Sequence, residues 1–331
     1  MSTIGIIANP SAGKDIRRLV SQSRLISNQE KINILARVIN GLSASGVTKI
    51  LGMPDSGQLL RSAVQLSNTD VEISYLDMPI LNTEIDTVNS ANLMAKQGAK
   101  VLVTLGGDGT NRAVALGTCE IPLMPLSTGT NNVFPTMIEG TLAGMAAGCV
   151  ASNRVSNKLC TYKSKKLIVE KNGVKCDVAL VDVAISSERF VGSRAIWNIS
   201  SVRELYLAIA SPYSIGLSSI GGLIDPISTT DEIGLHIRLS DDYQDRYVVA
   251  PVIPGELEQV HIKYVNRIKL FETLHVQQKP CTIALDGERS IIVRIEDTAR
   301  LTLTKEGPPV INAEAALQMA ASNGIYVSEN S

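Results

Sequence analysis

The residues best placed to do chemistry lie in one short stretch, Gly106-Gly107-Asp108-Gly109-Thr110-Asn111-Arg112, directly after the apolar run Val101–Leu105. Three glycines in four positions let backbone N–H groups converge on a phosphate, and a following helix adds the positive end of its dipole. Asp108 repels a bare phosphate. It suits the site if Mg²⁺ lies between the two, or if it accepts a proton from a hydroxyl. Thr110 can cap the helix and donate to phosphate, Asn111 adds a donor and Arg112 a positive charge. The plain alternative is a tight turn with Asp108 as the helix cap.

Two further loops share this character. Asn9-Pro10-Ser11-Ala12-Gly13-Lys14 follows the first apolar run, and lacks the first glycine of the GxxxxGK[ST] phosphate loop. Ser127-Thr128-Gly129-Thr130-Asn131-Asn132 follows "IPLMPL" and holds only polar and glycine residues without charge, a set suited to adenine, ribose and phosphate. Ligands of open parallel sheets sit beyond the carboxyl ends of strands, where all three loops fall. Lys163, Lys165 and Lys166 read as a solvated strand face rather than a phosphate clamp.

These loops need a scaffold, and the first 152 residues supply its pattern. Apolar runs at "TIGIIAN", "VTKILGM", "VEISYLD", "KVLVTL" and "IPLMPL" alternate with helical spacing at 28–41, in "SGQLLRSAVQL", at 83–97 and after Thr141. Strands alternating with helices predict βαβ units and a parallel sheet. Past the polar connector "SNRVSNK", residues 153–310 change texture. Asn172-Gly173 and Asp286-Gly287 each separate two β-rich runs, the pattern of a hairpin turn. The expectation is an α/β N-terminal domain, 1–152, and a β-rich antiparallel domain, 153–310, interrupted by a helix near "SVRELYLAIAS". A last helix, 311–324, returns to pack on the first domain.

The 331 residues are 44% hydrophobic and 19% charged, with a net charge of −1. No global field draws nucleic acid or an anionic membrane, and no run reaches the roughly 20 apolar residues of a span. The opening residues do not have the pattern of a signal peptide. Five cysteines without a CxxC pair predict reduced thiols in a cytoplasmic protein, and the three histidines match no metal motif. The absence of G-x-G-x-x-G in the first turn disfavours a Rossmann dehydrogenase.

"NPSAGK", "TLGGDGTNRAV" and "IPLMPLSTGTNN", in that order, resemble the signature of the NAD kinase and diacylglycerol kinase superfamily, and "LSTGTNNVFP" is most similar to its acetoin catabolism protein X group, classed with ATP-NAD kinases. The resemblance implies a nucleotide-binding domain, a β-rich sandwich-like acceptor domain, and a site in the cleft between them. It implies phosphoryl transfer from ATP, with Mg²⁺, to a hydroxyl, with NAD as the default acceptor and NADP as its product. By position, Asp108 matches the proposed proton acceptor, while Gly106, Gly107, Gly109 and Thr110 match the phosphate frame. Thr128, Gly129, Thr130 and Asn131 match the second nucleotide loop. Asp286 and Glu288 match the acidic pair of the lipid kinases, so the base is Asp108 or the Asp286/Glu288 pair. The chain departs from NAD kinases at "SPYSIGLSSIGG", 211–222, where their Thr-Pro-Thr-Gly-Ser-Thr-Ala-Tyr run helps bind NAD. The rival readings are a lipid kinase and a non-catalytic nucleotide-binding accessory protein linked to acetoin catabolism. The expected partner is a small-molecule substrate bound by a homo-oligomer, without nucleic acid or stable membrane association.

Overall fold

The computed structural model describes residues 2–11, 26–129, 131–188, 199–287 and 289–327. In the first half, strands and helices alternate: β1 Thr3–Ala8, α1 Asn28–Ala44, β2 Lys49–Gly52, α2 Leu59–Leu66, β3 Glu72–Tyr75, α3 Glu84–Lys96, β4 Val101–Gly106, α4 Asp108–Gly117, β5 Leu123–Ser127 and α5 Gly140–Ala151. The helix boundaries follow local chemistry. Ser27 caps α1 by accepting from Glu30 N–H, and Thr83 and Asp86 form a capping box on α3. Glu139 caps α5 by accepting the N–H groups of Thr141 and Leu142. β1 and β4 are buried along nearly their whole length, as expected for central parallel strands covered on both faces.

The chain continues through α6 Asn157–Cys160 and β6 Thr161–Lys163 into β7 Lys166–Lys171, β8 Val174–Ala179, β9 Asp182–Ser186, β10 Val202–Leu207, α7 Leu217–Gly222, β11 Ile233–Leu239, β12 Tyr247–Ile253 and β13 Glu256–Lys269. It ends with β14 Thr273–His275, β15 Cys281–Leu285, β16 Arg289–Val293, β17 Ala299–Thr304, β18 Pro309–Ile311 and α8 Ala313–Ser322.

The first sheet has the order β3-β2-β1-β4-β5-β18-β6 and is parallel except for β6. Strand order reverses between β1 and β4, so their carboxyl ends diverge into the crevice where open α/β sheets bind ligands. β18 and β6 extend this sheet, although they flank the β-rich segment in sequence. α8 buries Ala316 and Ala320 in the core shared with α1 and α5.

Two antiparallel sheets form the second half, β12-β13-β11-β10-β9-β15-β16 and β14-β17-β7-β8. They share a core that includes Leu167, Val169, Tyr206, Ile283 and Leu303. The β7–β8 turn places Asn172 and Gly173 at φ +52° and +78°, the doubly left-handed geometry of a type I′ hairpin. The helix expected near "SVRELYLAIAS" is instead the strand β10. Five of its six residues are buried because it lies mid-sheet, between β9 and β11. Burial on both faces erases the alternation that marks a strand in sequence. Leu180, Val181 and Ile209 pack with Ile7, Leu123 and Phe134, which joins the two halves through one apolar cluster. Among the described residues, no helix is long and apolar enough to cross a membrane.

Candidate active site

β4 ends at Gly106, and Gly107, with extended backbone, is the cap of α4. Asp108 is therefore the first helical residue and not the cap. A Cβ on Gly106 would lie 2.4 Å from Thr110 Oγ1, and one on Gly107 would lie 2.8 Å from Asn132 Oδ1. The Gly106 contact, which reaches Thr110 Cβ at 2.6 Å, leaves no room for a side chain between the strand end and the helix start. The Asp108 carboxylate accepts the Val133 N–H at 3.1 Å and the Phe134 N–H at 2.8 Å, which ties α4 to the loop after β5. Asn9 Nδ2 donates to Thr110 Oγ1 at 3.2 Å, bringing in the loop after β1. Within the third loop, Ser127 Oγ donates to Gly129 O at 2.7 Å and accepts from Asn132 Nδ2 at 2.8 Å. Asn131 is half-buried beside them. The hydroxyl of Thr128 is buried with no partner among the described residues. A fully buried donor left unpaired is costly, and a phosphate or ribose oxygen would satisfy it. The glycine cradle and this hydroxyl fit a phosphate-bearing nucleotide.

The second half contributes Asp286. It turns the chain between β15 and β16 at φ +46°. Its role exceeds that of a hairpin residue, because its carboxylate is buried and accepts three consecutive N–H groups: Leu180 at 3.0 Å, Val181 at 2.9 Å and Asp182 at 3.1 Å. Its own N–H donates to Asp182 O at 3.0 Å. Burial pushes Asp286 up to about 6, against the pull of these amides and of the Arg112 charge. Asp108 is held well above the usual carboxylate range, first by burial and then by the negative charge of Asp286. Asp182 adds to this, while the Phe134 and Val133 amides oppose it. The negative charge of Asp286 thus adds to burial in keeping the Asp108 carboxyl protonated to higher pH than a free carboxylate. Asp182 was not singled out from sequence. Its signal is a lone carboxylate inside the apolar run "VALVDVAIS".

Other expectations are corrected. Asn111 is fully buried, accepting from Thr104 Oγ1 at 2.7 Å and donating Nδ2 to Gly107 O at 2.9 Å, so it props the glycine loop from beneath. Arg112 is 1% exposed and spends its guanidinium on Glu84 Oε1 at 2.7 Å and Asp177 Oδ1 at 2.8 Å. It is not a free charge for phosphate. Lys165 and Lys166 are buried rather than solvated; Lys165 Nζ donates to Ser228 O and Ile233 O, and burial pushes its ammonium down to about 8. Both Asp108 oxygens accept amide N–H groups, and among the described residues no group of three or more His, Cys, Asp or Glu is placed to hold a metal, so the protein sets no ligand cluster around Asp108 for the Mg²⁺ expected there. Gly13, Lys14, Thr130 and Glu288 lie outside the described residues.

Residues 4–153 match the family model of the ATP-NAD kinase N-terminal domain, and residues 165–306 match that of the acetoin catabolism protein X C-terminal domain. The chain is 34% identical over 337 residues to acetoin catabolism protein X of Cupriavidus necator, covering 98% of this chain and 94% of that protein. It is 26% identical over 227 residues to an NAD kinase of Thermoplasma acidophilum, covering 65% of this chain and 75% of the relative. Two solved diacylglycerol kinase-like chains from Bacillus anthracis str. Sterne match its fold with TM-scores of 0.51 and 0.50, each at 13% identity. The matches cover 95% and 94% of this chain and 98% and 96% of theirs. The order of the three loops, the two-domain NAD kinase-like and diacylglycerol kinase-like fold and the full-length similarity agree, and the chain belongs to the acetoin catabolism protein X family.

Proposed function

We propose that the protein is an ATP-dependent kinase that phosphorylates a hydroxyl of NAD or a related small molecule, acting in the cytoplasm as a homo-oligomer. The observation that carries this reading is Asp108 at the head of α4 inside the glycine cradle, held by the Val133 and Phe134 amides, with the buried Asp286 of the second half near enough for its charge to raise the Asp108 carboxyl. Phosphoryl transfer demands positioning and charge stabilisation more than covalent chemistry by the protein. Gly106, Gly107, Gly109, Thr110 and the Thr128–Asn132 loop would hold ATP, which supplies the phosphoryl group, with Asn9 bracing Thr110. The acceptor hydroxyl gives its proton to the ionised carboxylate of Asp108 or Asp286. Its oxygen forms the new bond to the γ-phosphorus as the bond to the ADP oxygen breaks. Mg²⁺ would arrive with ATP.

NAD is supported as acceptor by the NAD kinase model over 4–153 and by the Thermoplasma relative. The segment 211–222 supplies little for it. Ser218 Oγ is committed to Ile209 O and the Ser211 N–H, and Ser219 Oγ to Gly216 O. Mass spectrometry of products from Mg-ATP with NAD, NADH, small diols and hydroxyketones tests the proposal. A phosphorylated product from one of them is expected. ATP binding without transfer to any of them would instead favour the accessory nucleotide-binding reading.

The two carboxyls also set an expected pH profile. A base works when ionised, and both carboxyls are raised, so turnover climbs as pH rises, with its half-point well above the ordinary carboxylate range, and at about 6 if Asp286 is the base. A half-point near 4, measured from initial rates between pH 4.5 and 8.5, would rule out both as base.

A further inference from the structure

Arg112, itself buried, makes ion pairs with two half-buried acids at once, in addition to lying on the same helix as Asp108. Its position four residues after Asp108 puts the two on one face of α4. From there its guanidinium reaches Glu84 on α3 and Asp177 on β8. Its Nε–H is buried with no acceptor among the described residues. Buried ion pairs are poor sources of stability, because desolvation offsets their attraction, whereas breaking one strands a buried charge. What the arrangement does supply is registry between segments. Asp177 lies on β8, three residues before Leu180, the first of the three amides that hold the Asp286 carboxylate. One cation therefore joins the helix that carries Asp108 to the strand that leads into the Asp286 cradle.

We propose that Arg112 is a positioning residue: with Glu84 and Asp177 it clamps α4 to β8 and thereby fixes Asp286 relative to Asp108. Its importance for turnover rests on the kinase reading; the clamp itself does not. Among the described residues, the charged groups tied to Asp286 are Asp108 and Arg112 from α4, through their charges, and Asp182 from β9, through its backbone N–H, with Asp177 on β8 and Glu84 on α3 joined to it through Arg112. The Arg112 charge is among the influences that hold Asp286 down against burial.

The test uses the full chain with ¹³C-labelled aspartate carboxyls, the Asp286 signal being assigned by its loss in Asp286→Asn. Arg112→Met is expected to raise the Asp286 titration midpoint by about one unit or more, and Arg112→Lys to restore most of it. Asp177→Asn, which keeps the cation and removes an acid, is expected to lower the midpoint. In both Arg112→Met and Asp177→Asn, amide hydrogen exchange at 180–182 is expected to quicken by roughly tenfold. A folded Arg112→Met with unchanged midpoint and exchange overturns the proposal. If that variant does not fold, unchanged midpoint and exchange in Asp177→Asn overturn it. Neither measurement needs phosphoryl transfer, so failure of the kinase reading would leave both results interpretable.

Discussion

Asp108→Asn is expected to fold and bind nucleotide while losing phosphoryl transfer by about 10²–10⁴-fold, the usual contribution of a positioned acid–base group. Asparagine suits the test because of how the carboxylate is held. One oxygen, Oδ1, accepts from both Val133 and Phe134, and an amide oxygen in its place can keep both bonds. The start of α4 and the third loop therefore stay joined. Alanine is a poorer choice, since it would leave two amides without their acceptor at about 1–3 kcal/mol for each buried group. Lost activity would then mix chemistry with a displaced loop. In the asparagine variant, single-turnover rates, ATP binding by calorimetry and thermal unfolding separate the two effects. Near-normal binding with a collapsed rate supports the base assignment. A rate within about threefold of the parent protein in a folded variant would remove Asp108 from the mechanism, because it falls short of any acid–base contribution.

The place of the glycine loops was legible in the sequence because their features are local. Glycine-rich loops directly after apolar runs state their position at the strand ends within ten residues. Asp286 was only half legible. Asp-Gly announces a turn, but the three amides that receive its carboxylate lie about a hundred residues earlier in the chain, at 180–182. Arg112 was misread for a related reason. A charge at a helix start can face a ligand or the protein, and its direction here is decided by acids from α3 and β8. Strands β6 and β18 have three residues each, too few to show a period, and they join the first sheet only through tertiary pairing. Lys165 illustrates the same limit, since the carbonyls of Ser228 and Ile233 that bury its ammonium lie more than sixty residues away.

Gly144→Val is expected to destabilise the first domain by about 3 kcal/mol or more, beyond the usual range for overpacking. α1 and α5 cross at backbone contact. A Cβ on Gly144 would sit 2.2 Å from Val38 O and 3.0 Å from Leu42 N, and one on Gly41 would sit 2.3 Å from Thr141 O. The obstacles are main-chain atoms inside a helix, so no rotamer change relieves the clash and the helices must separate. Against a typical total of about 5–15 kcal/mol, that loss is large. Gly144→Ala should cost about 1–3 kcal/mol. Leu142→Ala, at a position on the same helix that is 43% exposed, should stay within about 0.5 kcal/mol. Urea unfolding of the three variants checks the ranking, and an unchanged midpoint in Gly144→Val would show that the crossing is not as tight as described. The crossing also bears on the site, because Lys31 of α1 donates its Nζ to the carbonyls of Asn9 and Pro10 at 3.3 and 3.0 Å. A displaced α1 drags the loop after β1, and with it the Asn9 contact to Thr110. Folded Gly144→Ala should therefore bind ATP more weakly than Leu142→Ala does, although neither residue touches the candidate nucleotide loops.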